Sequence, residues 1–151
     1  MERILKYITV LSFILFISGC SLQSKDKELN WHDNLETAVA IAQKEHRPIL
    51  VNFTGSDWCK WCKKLNAEVF SQDEFVNYAK NNLVLVKIDF PEHIKQTPET
   101  QYYNRQLAQK FGVQGFPTII IMNSGGKPLA LTGYQEGGAA AYVQHIKSLL
   151  M

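Results

Sequence analysis

The sequence predicts an α/β domain built on a central mixed β-sheet with helices on both faces, and three observations carry that reading. Short β-branched runs alternate with stretches of helical periodicity, giving the order β, α, β, α, β, β, α after a first helix. The run Leu83-Val84-Leu85-Val86-Lys87-Ile88-Asp89 is apolar almost throughout, which suits a strand in the middle of a sheet covered on both sides. Beyond an N-terminal leader and a polar stretch, about 120 residues remain, enough for one compact domain with a single core.

In chain order, Arg3 and Lys6 form a short basic region, and the apolar stretch Tyr7 to Ser18 falls short of the roughly 20 residues of a membrane span. Residues 1–19 read as a signal peptide. Ile17-Ser18-Gly19-Cys20 resembles a bacterial lipobox, in which the cysteine becomes the acylated first residue of the mature chain. An ordinary secretory signal with a leftover thiol, or an uncleaved anchor, are the other readings of this stretch. Ser21 to Asn30 is polar and mixed in charge, so residues 20–30 read as a flexible tether and 31–151 as the folded domain. With a formal net charge of +2, nothing points to nucleic acid or to a polybasic membrane surface.

Within the domain, Trp31 is a hydrophobic lead-in, and Asp33 followed by Glu36 reads as a capping-box variant. Leu35, Ala38, Val39 and Ala42 then form an apolar stripe that ends at Arg47-Pro48. Ile49 to Phe53 is a buried strand, and Thr54-Gly55-Ser56-Asp57 supplies turn chemistry before a helix with apolar residues as far as Phe70. Ser71 to Glu74 restarts or kinks that helix, with Phe75, Val76, Tyr78 and Ala79 inward. After the strand ending at Asp89, Phe90 to Thr100 is a polar loop with two prolines, and Glu99 to Phe111 a helix with Tyr103, Leu107, Ala108 and Phe111 inward, closed by Gly112. Thr118–Met122, the turn Asn123-Ser124-Gly125-Gly126 and Pro128–Thr132 form a hairpin. A terminal helix runs from Ala139 to Leu150.

Chemistry concentrates at Trp58-Cys59-Lys60-Trp61-Cys62. The expected strand-to-helix junction puts Cys59 in a helix's first turn, where unpaired N–H groups and the helix dipole stabilise a thiolate. Cys62 lies nearly one turn later on the same side, placed to resolve a mixed disulfide formed at Cys59. Lys60 adds a cation, bulky Trp61 fills the other middle position, and Trp58 packs beside the pair. Asp57 is either an acid or base near the thiols or a turn residue, while Lys63 and Lys64 read as a solvated helix face. A zinc site needs further ligands, yet the remaining cysteine is Cys20 and His32, His46, His93 and His145 are scattered, so no metal is expected. A purely structural disulfide across so short a loop stabilises little.

Phe53 through Cys62 resembles the active-site entry of the thioredoxin superfamily, and Gly115-Phe116-Pro117-Thr118 resembles its cis-proline loop. Within it, Phe53 to Cys59, Asp89-Phe90-Pro91 and Gly133-Tyr134 resemble bacterial periplasmic thioredoxin-like disulfide reductases of the DsbH kind and, more distantly, the DsbD C-terminal domain. The resemblance implies a thioredoxin fold and a cis bond at Phe116–Pro117 that brings this loop beside the cysteines. Phe116 is then a substrate-specificity candidate, with core packing as its other reading, and its backbone is available to an extended substrate. Asn52 departs from the family, which carries a buried Asp at that position.

The expected function is thiol-disulfide exchange on the periplasmic side of the cell envelope, reducing disulfides in exported proteins through Cys59 and Cys62. No bound cofactor is required. The resemblance implies a DsbD-like membrane electron donor; a lipid anchor at Cys20 and a monomeric state are also expected. A disulfide oxidase or isomerase is the alternative within redox chemistry, and a lipid-anchored binding module without turnover the alternative outside it. Lys60 and the helix dipole favour a more oxidising pair, whereas the absence of a histidine between the cysteines, by resemblance, and the motif set favour a reductase.

Overall fold

Runs of branched and aromatic side chains alternate with amphipathic stretches, and each forms its own element in the computed structural model, which describes residues 29–151. The expected signal peptide, Cys20 and the tether as far as residue 28 lie outside the described residues. The order is β1 (Trp31–His32), α1 (Leu35–Glu45), β2 (Ile49–Thr54), α2 (Lys60–Leu65), a π-helical turn (Asn66–Phe70), α3 (Asp73–Asn82), β3 (Val84–Asp89), α4 (Pro98–Lys110), β4 (Thr118–Met122), β5 (Pro128–Thr132) and α5 (Gly138–Leu149). The strands form one mixed sheet in the order β1-β3-β2-β4-β5. This is the thioredoxin fold, as the motifs implied.

β2 is the middle strand and all six of its residues are buried. It pairs in parallel with β3, from Ile49 opposite Val84 to Thr54 opposite Asp89, and antiparallel with β4, from Ile49 opposite Met122 to Phe53 opposite Thr118. Because strand side chains alternate between faces, the core divides into two layers. Ile49, Val51, Phe53, Val86, Ile88, Ile120 and Met122 face α1 and α4; Leu50, Leu85, Ile119 and Ile121 face α2, α3 and α5. By the same alternation, Asn52 falls on the face that α2 covers.

Several elements depart from the expectations. Trp31 and His32 form an edge strand parallel to β3, too short to register as a period, and the Trp31 ring packs 5.3 Å from Phe70. The cap of α1 is Asn34, not Asp33: the Asn34 side chain accepts from the Thr37 N–H at 2.7 Å. Glu36 accepts instead from the Tyr103 hydroxyl at 2.6 Å, and that hydroxyl in turn accepts from the Leu35 N–H at 2.7 Å. One tyrosine on α4 thus ties down the start of α1. Burial, followed by the bond to Glu36, pushes the Tyr103 phenol well above its usual value.

The kink at Ser71 follows a π-helical turn that buries Val69 and Phe70. Tyr78 is half-buried rather than buried. α4 starts at Pro98, one residue before the expected start, with Thr97 as its cap. Asn104 on this helix, unmarked by apolar periodicity, is 3% exposed and donates to the Asp89 carbonyl at 2.8 Å. Both strands of the hairpin match the sequence reading. Asn123 Oδ1 fastens its turn by accepting from Gly125 and Lys127.

Tyr142 on α5 is fully buried, lies edge-on to Phe70 and donates its hydroxyl to the Gly133 carbonyl at 3.0 Å. Tyr142→Phe is expected to cost about 1 kcal/mol for the lost hydrogen bond, and Tyr142→Ala about 3–5 kcal/mol for the cavity. Denaturant unfolding of the oxidised protein measures both; equal costs would remove the ring from its place in the core.

Candidate active site

The site begins where β2 runs out. Phe90 N–H donates to the Thr54 carbonyl at 2.8 Å, the last rung between the two strands, and the chain then turns at Gly55. Asp89, at the end of β3, accepts from the Ser56 N–H at 2.9 Å and the Ser56 hydroxyl at 2.6 Å. Cys59 N–H donates back to the Gly55 carbonyl at 2.9 Å, so the turn delivers Cys59 to the N-cap of α2. The absence of a side chain at Gly55 matters here. A Cβ built there would sit 2.5–2.8 Å from the Trp58 indole, which lies across it.

Cys59 and Cys62 are joined in a disulfide with Cα atoms 5.2 Å apart. Each residue is 5% exposed, so burial does not rank the two cysteines. Helix position does. Cys59 Sγ accepts the Cys62 N–H at 3.2 Å, one of the unpaired donors of the first turn, whereas Cys62 lies inside the helix. A thiolate at Cys59 is therefore stabilised by a donor already in place.

Two aromatic groups are built from the tryptophans next to the cysteines in sequence. In the first, Trp58, 41% exposed, donates its indole N–H to the Phe90 carbonyl at 2.8 Å and lies edge-on to Phe116 at 6.0 Å. Phe116 stacks on Phe90 at 4.9 Å. In the second, Trp61, 50% exposed, lies 5.4 Å from Tyr134, and Lys64 Nζ sits 5.2 Å over the Trp61 ring and 4.9 Å over the Tyr134 ring. Tyr134 donates to Glu68 at 2.6 Å. Lys64 is thus engaged with two rings rather than being one more charge on a solvated face. Its pKa is raised, first by the Tyr134 hydroxyl and further by Glu68. Lys60 opens α2 and is exposed.

The Phe116–Pro117 peptide bond is cis. Thr118 pairs with Phe53 at the end of β2, and a Cβ built at Gly133 would sit 3.3 Å from the Pro117 carbonyl oxygen, so this loop sits at the same end of the sheet as the cysteines. Asn52 is 7% exposed, and its Oδ1 is buried without a hydrogen-bond partner among the described residues. Asp57, read from sequence as acid, base or turn former, accepts from three successive backbone N–H groups: Glu92 at 2.9 Å, His93 at 2.7 Å and Ile94 at 3.0 Å. Desolvation works against ionisation, yet those donors bring Asp57 below the ordinary carboxylate value. Ser56, Asp89, Tyr134 and Glu68 carry no periodicity that marks them; the motifs Phe53 to Cys59, Asp89-Phe90-Pro91 and Gly133-Tyr134 pointed towards the first three, and nothing singled out Glu68. Among the described residues, no group of three or more His, Cys, Asp or Glu is gathered to hold a metal ion.

A family described as the thioredoxin-like domain matches residues 35–147. The disulfide bond reductase DsbH of Chlamydia pneumoniae is 38% identical over 122 residues, which cover 81% of this chain and 73% of that protein. The thiol:disulfide interchange protein DsbD of Yersinia pestis (strain Pestoides F) is 29% identical over 140 residues, covering 87% of this chain but 21% of that longer protein. A solved structure titled DsbH oxidoreductase superposes with a TM-score of 0.76 at 37% identity, covering 88% of this chain and 94% of its own. The oxidised C-terminal domain of DsbD from Neisseria meningitidis, with a TM-score of 0.53 at 23% identity, shares the fold over 79% of this chain and 98% of its own.

Gly55→Ala is expected to displace the Trp58 indole and break its bond to Phe90, at about 1–3 kcal/mol of overpacking. Tryptophan fluorescence and denaturant unfolding together check this. An unchanged spectrum and stability would mean that the indole does not need the space.

Proposed function

The chain belongs to the thioredoxin-like domain family, and from that premise we propose that it reduces disulfides in exported proteins of the cell envelope through the Cys59/Cys62 pair. The observation that carries the reading is the disulfide at the start of α2, with Cys59 Sγ at the N-cap accepting a first-turn N–H. The resemblance in sequence to a protein called a disulfide bond reductase supports the direction.

In the dithiol form, the Cys59 thiolate attacks one sulfur of the substrate disulfide; that bond breaks, and the leaving thiolate takes up a proton. A mixed disulfide remains. Cys62 loses its proton and attacks the Cys59 sulfur, which breaks the mixed bond and releases the second substrate thiol. Two electrons have then passed to the substrate, and the protein is left as the disulfide. Turnover needs two electrons from a donor of the DsbD kind on the membrane. Residues 1–19 direct export, Cys20 carries lipid, and residues 20–30 tether a monomeric domain to the envelope. Phe116 and Pro117 present the backbone edge to which an extended substrate adds.

A second reading is supported by Lys60 and the helix dipole: stabilising the Cys59 thiolate favours the reduced protein and so a more oxidising pair. The reductase reading is preferred because the middle residues Lys60-Trp61 contain no histidine and the surrounding motifs resemble the reductase branch.

Insulin reduction in dithiothreitol is expected to run faster with the protein than with the reagent alone; a binding module would add nothing. Cys62→Ala is expected to trap a mixed disulfide with substrate, and Cys59→Ala to abolish exchange. Faster alkylation of Cys62 than of Cys59 at neutral pH would reverse the assignment.

Fatty-acid labelling in a host that processes lipoproteins is expected to mark the full-length chain at Cys20. A Cys20→Ser protein without residues 1–19 is expected to be soluble and fully active. An unlabelled full-length chain would contradict the anchor.

A further inference from the structure

The segment between β3 and α4 leaves the core after Phe90. Glu92, His93, Ile94 and Lys95 are all exposed, and Ile94, an apolar side chain, is 59% exposed. Loops of that composition are ordinarily among the least ordered parts of a domain. Here three successive N–H groups converge on the Asp57 carboxylate, and the preceding carbonyl, that of Phe90, accepts from Trp58. Both anchors lie within two residues of Cys59. Phe90 also stacks on Phe116, so the loop continues the aromatic wall that runs from the cysteine turn to Pro117.

We propose that Asp57 is a positioning residue for substrate recognition: it fixes the 91–96 loop as a preformed wall beside Cys59, on which Ile94 contacts the polypeptide flanking a substrate disulfide. This rests on the reading of the protein as a reductase of protein disulfides. The carboxylate is spent on the loop. Among the described residues its three hydrogen-bond partners are the backbone N–H groups of residues 92–94, and none is a sulfur. Holding the loop before substrate arrives removes the ordering cost from binding, and Ile94 is carried on the part of the loop that Asp57 holds. A small disulfide without flanking polypeptide does not reach the wall and gains nothing from it.

The test uses single turnovers of the pre-reduced domain, comparing a protein disulfide, insulin, with oxidised glutathione. For Asp57→Ala the half-saturating insulin concentration is expected to rise about five- to ten-fold with little change in maximal rate, so that the ratio of insulin to glutathione reactivity falls by the same factor. Asp57→Asn, which keeps one acceptor oxygen, is expected to fall between. Ile94→Asp, which changes the exposed side chain and keeps the backbone N–H that Asp57 accepts, is expected to raise the insulin value by itself and to add little on top of Asp57→Ala. Amide exchange at residues 92–94 is expected to quicken in Asp57→Ala. Parallel losses with insulin and glutathione, or a changed equilibrium with glutathione, would overturn the proposal by placing Asp57 in the chemistry of the thiols. So would an unchanged insulin value in Ile94→Asp, which decides the matter even if Asp57→Ala does not fold. Failure of the wild-type domain to reduce either disulfide would instead sink the reductase reading.

Discussion

A sulfur at the first turn of a helix is useful only if the helix starts at that sulfur, and here the starting point depends on where β2 is released from its neighbours. β2 is paired on both sides, in parallel with β3 and antiparallel with β4, so its register is fixed from two directions. A slip of one residue would exchange the two core layers. The last rung from Phe90 to Thr54 and the two bonds from Ser56 to Asp89 mark the point of departure. From there Gly55 allows Trp58 to fold across the turn, and Cys59 arrives at the N-cap with its sulfur on the Cys62 N–H.

Around that point, the chain spends polar groups on placement and leaves the chemistry to the cysteines. Asp57 and Asp89 both end on backbone donors or on Ser56. Glu68 holds Tyr134, and Lys64 lies over the rings of Tyr134 and Trp61. The result is a disulfide whose neighbours in sequence, Trp58 and Trp61, each join an aromatic group, with the Phe116–Pro117 loop at the same end of the sheet. Thiol-disulfide exchange needs little beyond this: access along one face, a stabilised thiolate and a resolving thiol within reach. Asn52 stands apart, because its buried Oδ1 has no partner among the described residues and an amide cannot take a proton as a carboxylate can.

The parts of the fold legible in the sequence are those that a local period or turn controls. β2, β3 and the β4–β5 hairpin follow from branched runs and from Asn123-Ser124-Gly125-Gly126, and the cysteine pair from its spacing. Contacts between distant segments were not legible. Asp33 and Asn34 are both good caps in isolation; Tyr103 reaching across from α4 engages Glu36 and removes it from a capping box. β1 is two residues long and exists because β3 offers an edge. Asn104 holds the end of β3 and nothing local distinguishes it from a surface polar residue, while Asp57 stood out as an acid, base or turn residue but its partners in the loop after β3 did not. Lys64 lies over Tyr134 only because the segment after β5 returns to α2.

The central claim is that this N-cap cysteine belongs to a reductase, and the equilibrium of the Cys59–Cys62 pair with a glutathione buffer, read by counting free thiols, tests it most directly. Stabilisation of the Cys59 thiolate raises the potential, while the middle pair Lys60-Trp61 lacks the histidine associated with strong oxidants. The account predicts a potential closer to the roughly −270 mV of thioredoxin than to the roughly −120 mV of a strong oxidant. A value near the oxidant's would contradict it and make the protein a donor of disulfides.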